Sequence, residues 1–169
     1  MSALFHSYLC GRIAAEWLIA MTLSYTRLLQ FYKQFGKFYT RQFSDFSART
    51  GLSMREIHVL LFLANNPGYD TARDISELRG LSKSQVSQAV ELLAAEGFLL
   101  RTPDEADRRV VHLSITPTGL PLARECQTIQ AACGQRLLAG LSEEQVRQFA
   151  LLLGTVLNNG AHLTEEESI

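Results

Sequence analysis

The stretch that decides the fold reads Leu81-Ser-Lys-Ser-Gln-Val-Ser-Gln-Ala-Val-Glu-Leu-Leu-Ala-Ala-Glu-Gly-Phe-Leu-Leu-Arg101. At about 100° per residue, its first part predicts a helix with one apolar and one polar side. The apolar side holds Val86, Ala89, Val90, Leu93 and Gly97, and the polar side holds Ser84, Ser87 and Gln88 with Gln85 on the flank. Short hydroxyl and amide side chains suit the major groove of DNA, because they donate and accept hydrogen bonds without holding the helix away from the bases. An ordinary solvated polar face is the alternative, and this helix alone does not exclude it.

Three capping-box patterns predict three short helices in the middle of the chain. In this pattern a side-chain oxygen caps the helix start, and the side chain three residues later reaches back to the cap. The patterns are Ser53-Met-Arg-Glu56, Thr71-Ala-Arg-Asp74 and Ser82-Lys-Ser-Gln85. The predicted helices end at Leu63, Gly80 and Gly97. Three helices with tight connections are the skeleton of a helix-turn-helix unit.

The hydrophobic period changes after Gly97. Phe98 to Arg101 predicts a short strand, Val110 to Ile115 predicts a second, and the polar segment between them predicts a projecting loop. Asp107-Arg-Arg109 lies where this loop turns back. An arginine there can enter a narrow minor groove, and Asp107 can orient it through a bidentate pair. A surface turn with a fortuitous ion pair is the alternative.

Longer helices are predicted on both sides of this module. An aromatic stripe predicts one helix from Leu28 to Phe46. It is more aromatic than one small core requires, so we expect it to pack against a second subunit, with an ordinary core helix as the alternative. Thr116-Pro117 caps a helix to about Ala139, with proline at its first position. Ser142-Glu-Glu-Gln145 caps a last helix, and Thr164 to Ile169 reads as a frayed acidic tail. One face of that last helix carries Val146, Phe149, Leu152, Leu153, Val156 and Leu157.

Bulk charge does not point to nucleic acid. The 169-residue chain has a formal net charge of −1, and the window from Thr71 to Thr116 is slightly acidic. Its basic residues are Arg73, Arg79, Lys83, Arg101, Arg108 and Arg109. Its acidic residues are Asp74, Glu77, Glu91, Glu96, Asp104, Glu105 and Asp107. Binding to DNA therefore requires segregation, with the basic side chains facing phosphate and most carboxylates facing away.

The remaining composition argues against several other classes. Cys10, Cys126 and Cys133 are odd in number and form no C-x-x-C, so we expect no disulfide framework or zinc site, inert thiols and a cytoplasmic location. Arg12 and Glu16 interrupt the apolar N-terminus, which leaves less than the roughly 20 residues that a membrane span needs; we expect a helical arm or a dimer element there. The histidines are scattered and no phosphate loop or zinc-protease motif is present, so we predict no enzyme, no cofactor and no metal.

The quoted segment from Leu81 to Arg101 resembles the recognition helix and first wing strand of the multiple-antibiotic-resistance regulator (MarR) family. Asp107-Arg-Arg109, Leu113-Ser-Ile-Thr116 and Gly119 are similar to its wing and to the start of its next helix. Gly51-Leu-Ser53 fits the start of its DNA-binding lobe. The similarity covers about Leu28 to Leu157. The chain departs from the family pattern at Asp104-Glu105, whose carboxylates ahead of the wing tip would repel DNA phosphates. The first 20 or so residues also extend beyond the family's usual start.

The resemblance implies roles for individual residues. Arg109 would be the minor-groove residue, Asp107 its support, and Ser82 to Gln88 the major-groove segment. The terminal helices would form a dimer. Family members often hold a small aromatic or anionic effector between the dimer helices and the DNA-binding lobe, which here would draw on the aromatic helix and on Ile57 to Leu63. The predicted DNA-binding residues are Ser82, Lys83, Ser84, Gln85, Ser87, Gln88, Arg73, Arg79, Arg101, Asp107, Arg108 and Arg109.

The sequence therefore predicts an all-α fold with a small β-ribbon wing, a winged helix-turn-helix joined to a helical dimerisation bundle. We expect an N-terminal arm and dimerisation helix in residues 1–50, the DNA-binding domain in 51–116, and C-terminal dimerisation helices in 117–164. The expected function is that of a homodimeric regulator of a pseudo-palindromic operator, with repression as the expected outcome and activation equally consistent with the residues. The alternative is a winged-helix module that has lost DNA binding and acts through a protein or ligand partner.

Overall fold

A computed structural model describes the backbone of residues 25–166 and the side chains of residues 26–160. The described residues form seven helices and two strands: α1 (Tyr25–Gln42), α2 (Ser44–Thr50), α3 (Met54–Asn65), α4 (Ala72–Arg79), α5 (Lys83–Ala95), β1 (Leu99–Pro103), β2 (Val111–Ile115), α6 (Leu120–Leu137) and α7 (Glu143–Glu166). The predicted fold class is confirmed. The predicted N-terminal arm and the end of the predicted acidic tail lie outside the described residues.

All three predicted capping boxes are present. At α5 the Gln85 N–H donates to Ser82 Oγ (3.2 Å), and the Ser82 N–H donates to Gln85 Oε1 (3.0 Å). Thr71 and Asp74 exchange the equivalent bonds at α4 (3.1 and 2.9 Å). Each box satisfies amides that a helix start leaves without partners. The starts of α4 and α5, the two helices of the predicted helix-turn-helix, are therefore fixed by the local sequence.

The core of the module lies between α3, α4 and α5. α5 packs against α3 and α4, and β2 packs against both of these helices. Four of the five residues predicted on the apolar side of α5 are buried: Val86, Ala89 and Leu93 are fully inaccessible and Val90 nearly so. The prediction was wrong for Gly97, which is exposed because it lies in the turn beyond the end of α5 at Ala95. The four buried side chains meet a core that includes Ile57, Leu60 and Ile75. Burial of this one side leaves the opposite side of α5 at the surface.

The wing is an antiparallel ribbon in which Leu99 pairs with Ile115 and Pro103 pairs with Val111. A third segment joins it. The Leu113 N–H donates to the Asp70 carbonyl (2.7 Å), and Thr71 forms an isolated bridge with His112. Since Thr71 is also the cap of α4, the ribbon is attached directly to the start of that helix. This attachment fixes the wing relative to the helix-turn-helix.

Two predicted boundaries were wrong. The helix predicted from Leu28 to Phe46 is interrupted at Phe43 (φ −92°, ψ 1°), whose N–H donates to the Thr40 carbonyl three residues back. The turn allows both Phe43 and Phe46 to be buried, so the apolar stripe continues across it. Thr116 does cap the next helix by accepting from the Gly119 N–H (3.1 Å), but Pro117 lies in the preceding turn and α6 begins at Leu120.

The chain divides into two compact units, Met1–Cys126 and Gln127–Ile169. The described part of the first contains the three-helix core and the wing. The described part of the second contains the C-terminal half of α6 and α7. The boundary falls inside α6, and the domain boundaries at 50 and 116 stay predictions. No helix within residues 25–166 has the length and apolar character needed to cross a membrane.

Candidate nucleic-acid interface

The polar side of α5 is exposed along its first two turns. The six predicted contact residues on this segment, Ser82, Lys83, Ser84, Gln85, Ser87 and Gln88, all lie at the surface. Ser82 and Gln85 already bond to each other in the capping box, which occupies the Ser82 hydroxyl and the Gln85 amide oxygen. The Gln85 amide nitrogen keeps both of its hydrogens for another acceptor.

Gln88 has a partner that the sequence did not reveal. Arg55, in the first turn of α3, donates from Nη1 to Gln88 Oε1 (2.9 Å), and both side chains are exposed. The bond fixes which way the amide of Gln88 points, because its oxygen accepts from the guanidinium and its nitrogen faces away. An amide oxygen has two lone pairs, so Gln88 can still accept from an adenine amino group while its nitrogen donates to the same base.

Two aspartates fold the tip of the wing. Asp104 Oδ1 accepts from the N–H groups of Ala106 and Asp107 (2.8 Å each). Asp107 Oδ1 accepts from the N–H of Arg109 (3.0 Å), and the Val110 N–H closes the turn on the Asp107 carbonyl (2.9 Å). Asp107 therefore supports Arg109 through the backbone, and the expected bidentate pair with a guanidinium is not the arrangement observed. This leaves the exposed guanidinium of Arg109 available to an outside partner.

Asp104 has a second role at the base of the wing. Its Oδ2 lies 3.2 Å from His112 Nε2, and His112 Nδ1 lies 2.8 Å from Asp70 Oδ1. The hydrogen bonds to Asp70 and Asp104 raise the pKa of His112 above its usual value. The N–H of Asp107, followed by His112, lowers the pKa of Asp104. The carboxylate expected to repel phosphate is therefore paired with an imidazole and with backbone amides.

The outlying arginines lie on two elements of the same unit, α4 and β1, and are all exposed. On α4, Arg73 donates from Nε to Glu77 Oε1 (2.8 Å), a bond that raises the pKa of Arg73. Arg79 ends α4, and its charge helps to lower the pKa of His58. Arg101 lies on β1 opposite Leu113. A contact of Arg73 with phosphate would have to compete with its ion pair to Glu77.

His58 and the described cysteines are poorly suited to polar chemistry. Burial, and secondarily the charge of Arg79, lowers the pKa of His58 to about 4, and its ring stacks 6.4 Å from that of Tyr39. Burial raises the pKa of Cys126 to about 12 and raises that of Cys133 as well. Burial keeps the imidazole of His58 neutral, and the protonated thiols agree with the inert role expected for Cys126 and Cys133. Cys10 lies outside the described residues.

A family model described as the MarR family matches residues 50–110, the segment that runs from the end of α2 to the far side of the wing tip. This segment, about a third of the chain, is similar to the MarR family. It contains the polar face of α5, Arg55, and the tip residues Asp107 to Arg109.

Individual relatives show a similar likeness. The chain is 24% identical over 116 residues to the HTH-type transcriptional regulator BilQ of Clostridium symbiosum, and the aligned region covers 68% of this chain and 80% of BilQ. It is 27% identical over 100 residues to the HTH-type transcriptional repressor IacR of Pseudomonas putida, and the aligned region covers 59% of this chain and 60% of IacR. Crystalline CouR from Rhodococcus jostii, bound to p-coumaroyl-CoA, has the same fold (TM-score 0.59, 24% identity, 73% of this chain and 87% of CouR).

The sequence relatives are transcriptional regulators. Together with the similarity of residues 50–110 to the MarR family and the winged helix, they support a DNA-binding transcriptional regulator.

Proposed function

We propose that the chain is a homodimeric repressor that occupies a pseudo-palindromic operator. The observation that carries the proposal is the exposure, on one compact unit, of the polar face of α5 and of an arginine-tipped wing attached to the same three-helix core. IacR, one of the relatives, is named a repressor. A dimer would place two copies of α5 in successive major grooves, with half-site centres about 10 bp apart.

Within each half-site the residues divide by the type of contact they are suited to make. Ser84, Ser87 and Gln88 lie on the exposed face and carry groups that read base edges. Arg109 projects from the tip and suits the negative potential of a narrow minor groove. The remaining predicted contacts suit phosphate and would set the position of the protein on the duplex; they are Ser82, Lys83, Gln85, Arg73, Arg79, Arg101 and Arg108. Asp107 supports Arg109 by the backbone bond described above.

Exposed apolar side chains support the homodimer. On α7, Leu151, Leu152, Val156 and Leu157 are each more than 60% accessible, and on α1, Tyr32 is 78% accessible. Clustered exposed apolar side chains such as those of α7 mark interaction sites in otherwise polar proteins. A second copy of the chain is the natural occupant, because a DNA-binding unit that reads a two-fold symmetric site needs a two-fold partner. We assign dimerisation to residues 1–50 and 117–164, and DNA binding to residues 51–116.

We also propose that a small aromatic or anionic effector releases the operator. CouR is bound to p-coumaroyl-CoA, an aromatic and anionic ligand. The aromatic side of α1, where Phe35, Phe38 and Tyr39 lie with ring centroids about 6 Å apart, would supply apolar surface to such a molecule. A regulator that meets chromosomal DNA and metabolites acts in the cytoplasm, as we propose for this one.

The test is the salt dependence of binding to DNA selected from a random pool. The logarithm of the binding constant should fall linearly with the logarithm of salt concentration, with a slope of roughly −0.9 per phosphate contact. Arg109→Ala should weaken binding about tenfold or more and reduce that slope by about 1. Arg41→Ala is the matched control, since it removes an exposed positive charge from the last turn of α1, which contributes none of the predicted DNA contacts.

Equal effects of Arg109→Ala and Arg41→Ala would contradict the assigned wing contact. A binding constant that does not change with salt would favour the second candidate function, a winged-helix module that acts through a protein or ligand partner. The observation that favours this candidate is the balance of charge around the reading helix, where basic residues do not outnumber acidic ones.

A further inference from the structure

His112 links three separate segments of the DNA-binding unit. His112 lies on β2, Asp70 lies in the loop that leads into α4, and Asp104 is the first residue of the wing loop. The two contacts use different ring nitrogens, Nδ1 to Asp70 Oδ1 (2.8 Å) and Nε2 to Asp104 Oδ2 (3.2 Å). All three side chains are partly exposed, at 39%, 45% and 34% respectively, so protons exchange with solvent. The His112 clamp, as we call Asp70, His112 and Asp104, therefore joins the wing to the helix-turn-helix.

The chemistry of the ring makes the His112 clamp dependent on protonation. A neutral imidazole has one N–H donor and one acceptor, whereas the imidazolium donates from both nitrogens. Ionised carboxylates only accept hydrogen bonds. Both contacts are therefore satisfied at once only by the imidazolium. When the ring is neutral, one nitrogen lone pair faces a carboxylate and that contact becomes repulsive.

The wing tip depends on the same carboxylate. While Asp104 Oδ2 faces the imidazole, Asp104 Oδ1 accepts from the N–H groups of Ala106 and Asp107, and Asp107 in turn holds the N–H of Arg109. Displacement of Asp104 therefore changes the turn that presents Arg108 and Arg109. The protonation state of His112 therefore affects the tip first through Asp104 and then through Asp107.

Other charged groups on the surrounding elements are engaged elsewhere. On α4, Asp74 bonds to Thr71 (2.7 Å). On α3, Glu56 bonds to the Ser53 N–H (2.8 Å), Arg55 to Gln88, and His58 stacks on Tyr39. On β1 the partner of His112 is Thr102, so Arg101 projects from the opposite face of the ribbon. Among the described side chains, Asp70 and Asp104 are the charged groups that shift the pKa of His112.

We propose that His112 is a positioning residue for DNA binding: as an imidazolium held by Asp70 and Asp104, it fixes the wing so that its arginines reach the minor groove, and it makes operator affinity fall as pH rises. This inference rests on the proposed function. The sign follows from the raised pKa of His112, since a group whose pKa is raised in the folded protein contributes fully below about 6.5 and loses its contribution as pH rises through the higher folded value. The affinity for the operator should therefore decline as the pH rises above about 6.5 and His112 loses its proton.

The experiment measures the dissociation constant for a selected DNA duplex by fluorescence anisotropy between about pH 6 and pH 9 at constant ionic strength. We expect the affinity of the wild-type chain to fall several-fold across this range and that of His112→Gln to vary much less. The pKa values of Cys126 and His58 lie far from the range, so these groups do not produce the effect. Wild-type and His112→Gln profiles of the same shape would overturn the proposal.

A matched pair of charge changes separates positioning from bulk electrostatics. Asp104→Asn and Glu105→Gln each remove one negative charge from neighbouring positions of the wing. If only bulk charge matters, both variants bind DNA more tightly. If the His112 clamp positions the tip, Glu105→Gln binds more tightly and Asp104→Asn binds more weakly, with a flattened pH profile. Tighter binding by both variants would contradict the proposal.

A measurement without DNA keeps the two proposals distinguishable. The pKa of the His112 ring, followed by NMR in the free protein, should lie above 6.5 and should fall in Asp70→Asn and in Asp104→Asn. A normal pKa with intact, salt-dependent DNA binding would refute the clamp and leave the proposed function standing. A raised pKa in a protein that binds no DNA would refute the proposed function. If His112→Gln does not fold, the NMR titrations and the Asp104→Asn comparison still decide the question.

Discussion

The bond between Arg55 and Gln88 brings a residue outside α5 into the proposed DNA-binding surface. Arg55 lies in the first turn of α3 and Gln88 in the second turn of α5, and the 2.9 Å contact crosses the interhelical groove. A long polar side chain such as glutamine loses rotamer freedom when it binds a base, which costs affinity. A partner that already orients the amide reduces that cost. We therefore expect Arg55 to contribute to DNA affinity through Gln88 as well as through its own charge.

A double-mutant cycle tests this coupling. Arg55→Ala and Gln88→Ala should each weaken binding to the selected duplex, and the double variant should lose less than the sum of the two, with a coupling of about 0.5 kcal/mol or more. The measurement is the dissociation constant of all four proteins at one salt concentration. Strictly additive losses would show that Arg55 acts on DNA independently of Gln88.

For individual residues, the sequence predicts which side chains are exposed better than it predicts their hydrogen-bond partners. The exposed and buried residues of α5 follow from helical periodicity, because a helix packed on one side exposes the other. The partners of Gln88, Asp104 and His112 lie 33, 8 and 42 residues away respectively, and such contacts depend on how the elements pack. Nothing in the local pattern around Arg55, Asp70 or His112 distinguishes them from ordinary surface residues. These three are the functional candidates that sequence reasoning missed.

Gly119 sets the approach of α6 to the wing. A Cβ atom at this position would lie 2.3 Å from the Phe98 carbonyl oxygen and 3.1 Å from Ile115 Cγ2. The Phe98 oxygen is not free to retreat, because it accepts from the Thr116 N–H (3.0 Å) at the end of β2. Glycine is therefore required here by the closeness of two backbones.

Gly119→Ala should lower the free energy of unfolding by about 1–3 kcal/mol, the usual cost of forcing extra volume into a packed site. Each kcal/mol corresponds to about 2–4 °C in Tm for a chain of this size. Gly134→Ala, inside the α6 helix that Gly119 precedes, is the matched control, since a Cβ at Gly134 meets nothing within 4 Å. Because alanine is the better helix former, Gly134→Ala should be neutral or stabilising. Thermal unfolding that shows equal effects for both would contradict the account of Gly119.

The elements themselves were largely predictable. The capping boxes at Ser53, Thr71 and Ser82 are short-range patterns with a direct physical cause, and each marks a real helix start. The break at Phe43 was missed because the hydrophobic stripe continues across it and no proline or glycine marks it. The two strands were predicted within one or two residues, whereas the bridge between Thr71 and His112 was not, since a single pair leaves no sequence pattern.

At the scale of the whole molecule, the exposed apolar face of α7 supports the proposed dimer. The side chain of Leu152 is 69% accessible, and transfer of this apolar surface out of water would be favourable. In the proposed dimer it is buried against the second copy. Leu152→Asp should then place a charge in the interface and increase the dimer dissociation constant by at least tenfold.

Asn158→Asp is the control, because it adds the same charge to an exposed polar position of α7. Analytical ultracentrifugation across a concentration series should give dimers for the wild type and for Asn158→Asp, and monomers or aggregates for Leu152→Asp. A Leu152→Asp protein that remains a stable dimer would remove α7 from the interface. A stable monomer that binds the full operator as tightly as the wild type would contradict the proposed two-fold reading of DNA.

The attachment of β2 to the chain that enters α4 has a kinetic consequence. With the Leu113 N–H bonded to the Asp70 carbonyl and Thr71 capping α4, the hairpin and the helices are one mechanical body. While the His112 clamp is protonated and the tip is held, such a body does not withdraw its arginine from one groove while its helix stays seated in the other. Dissociation of a half-site should then occur in a single step without a partly bound intermediate, and single-molecule dwell times should follow one exponential.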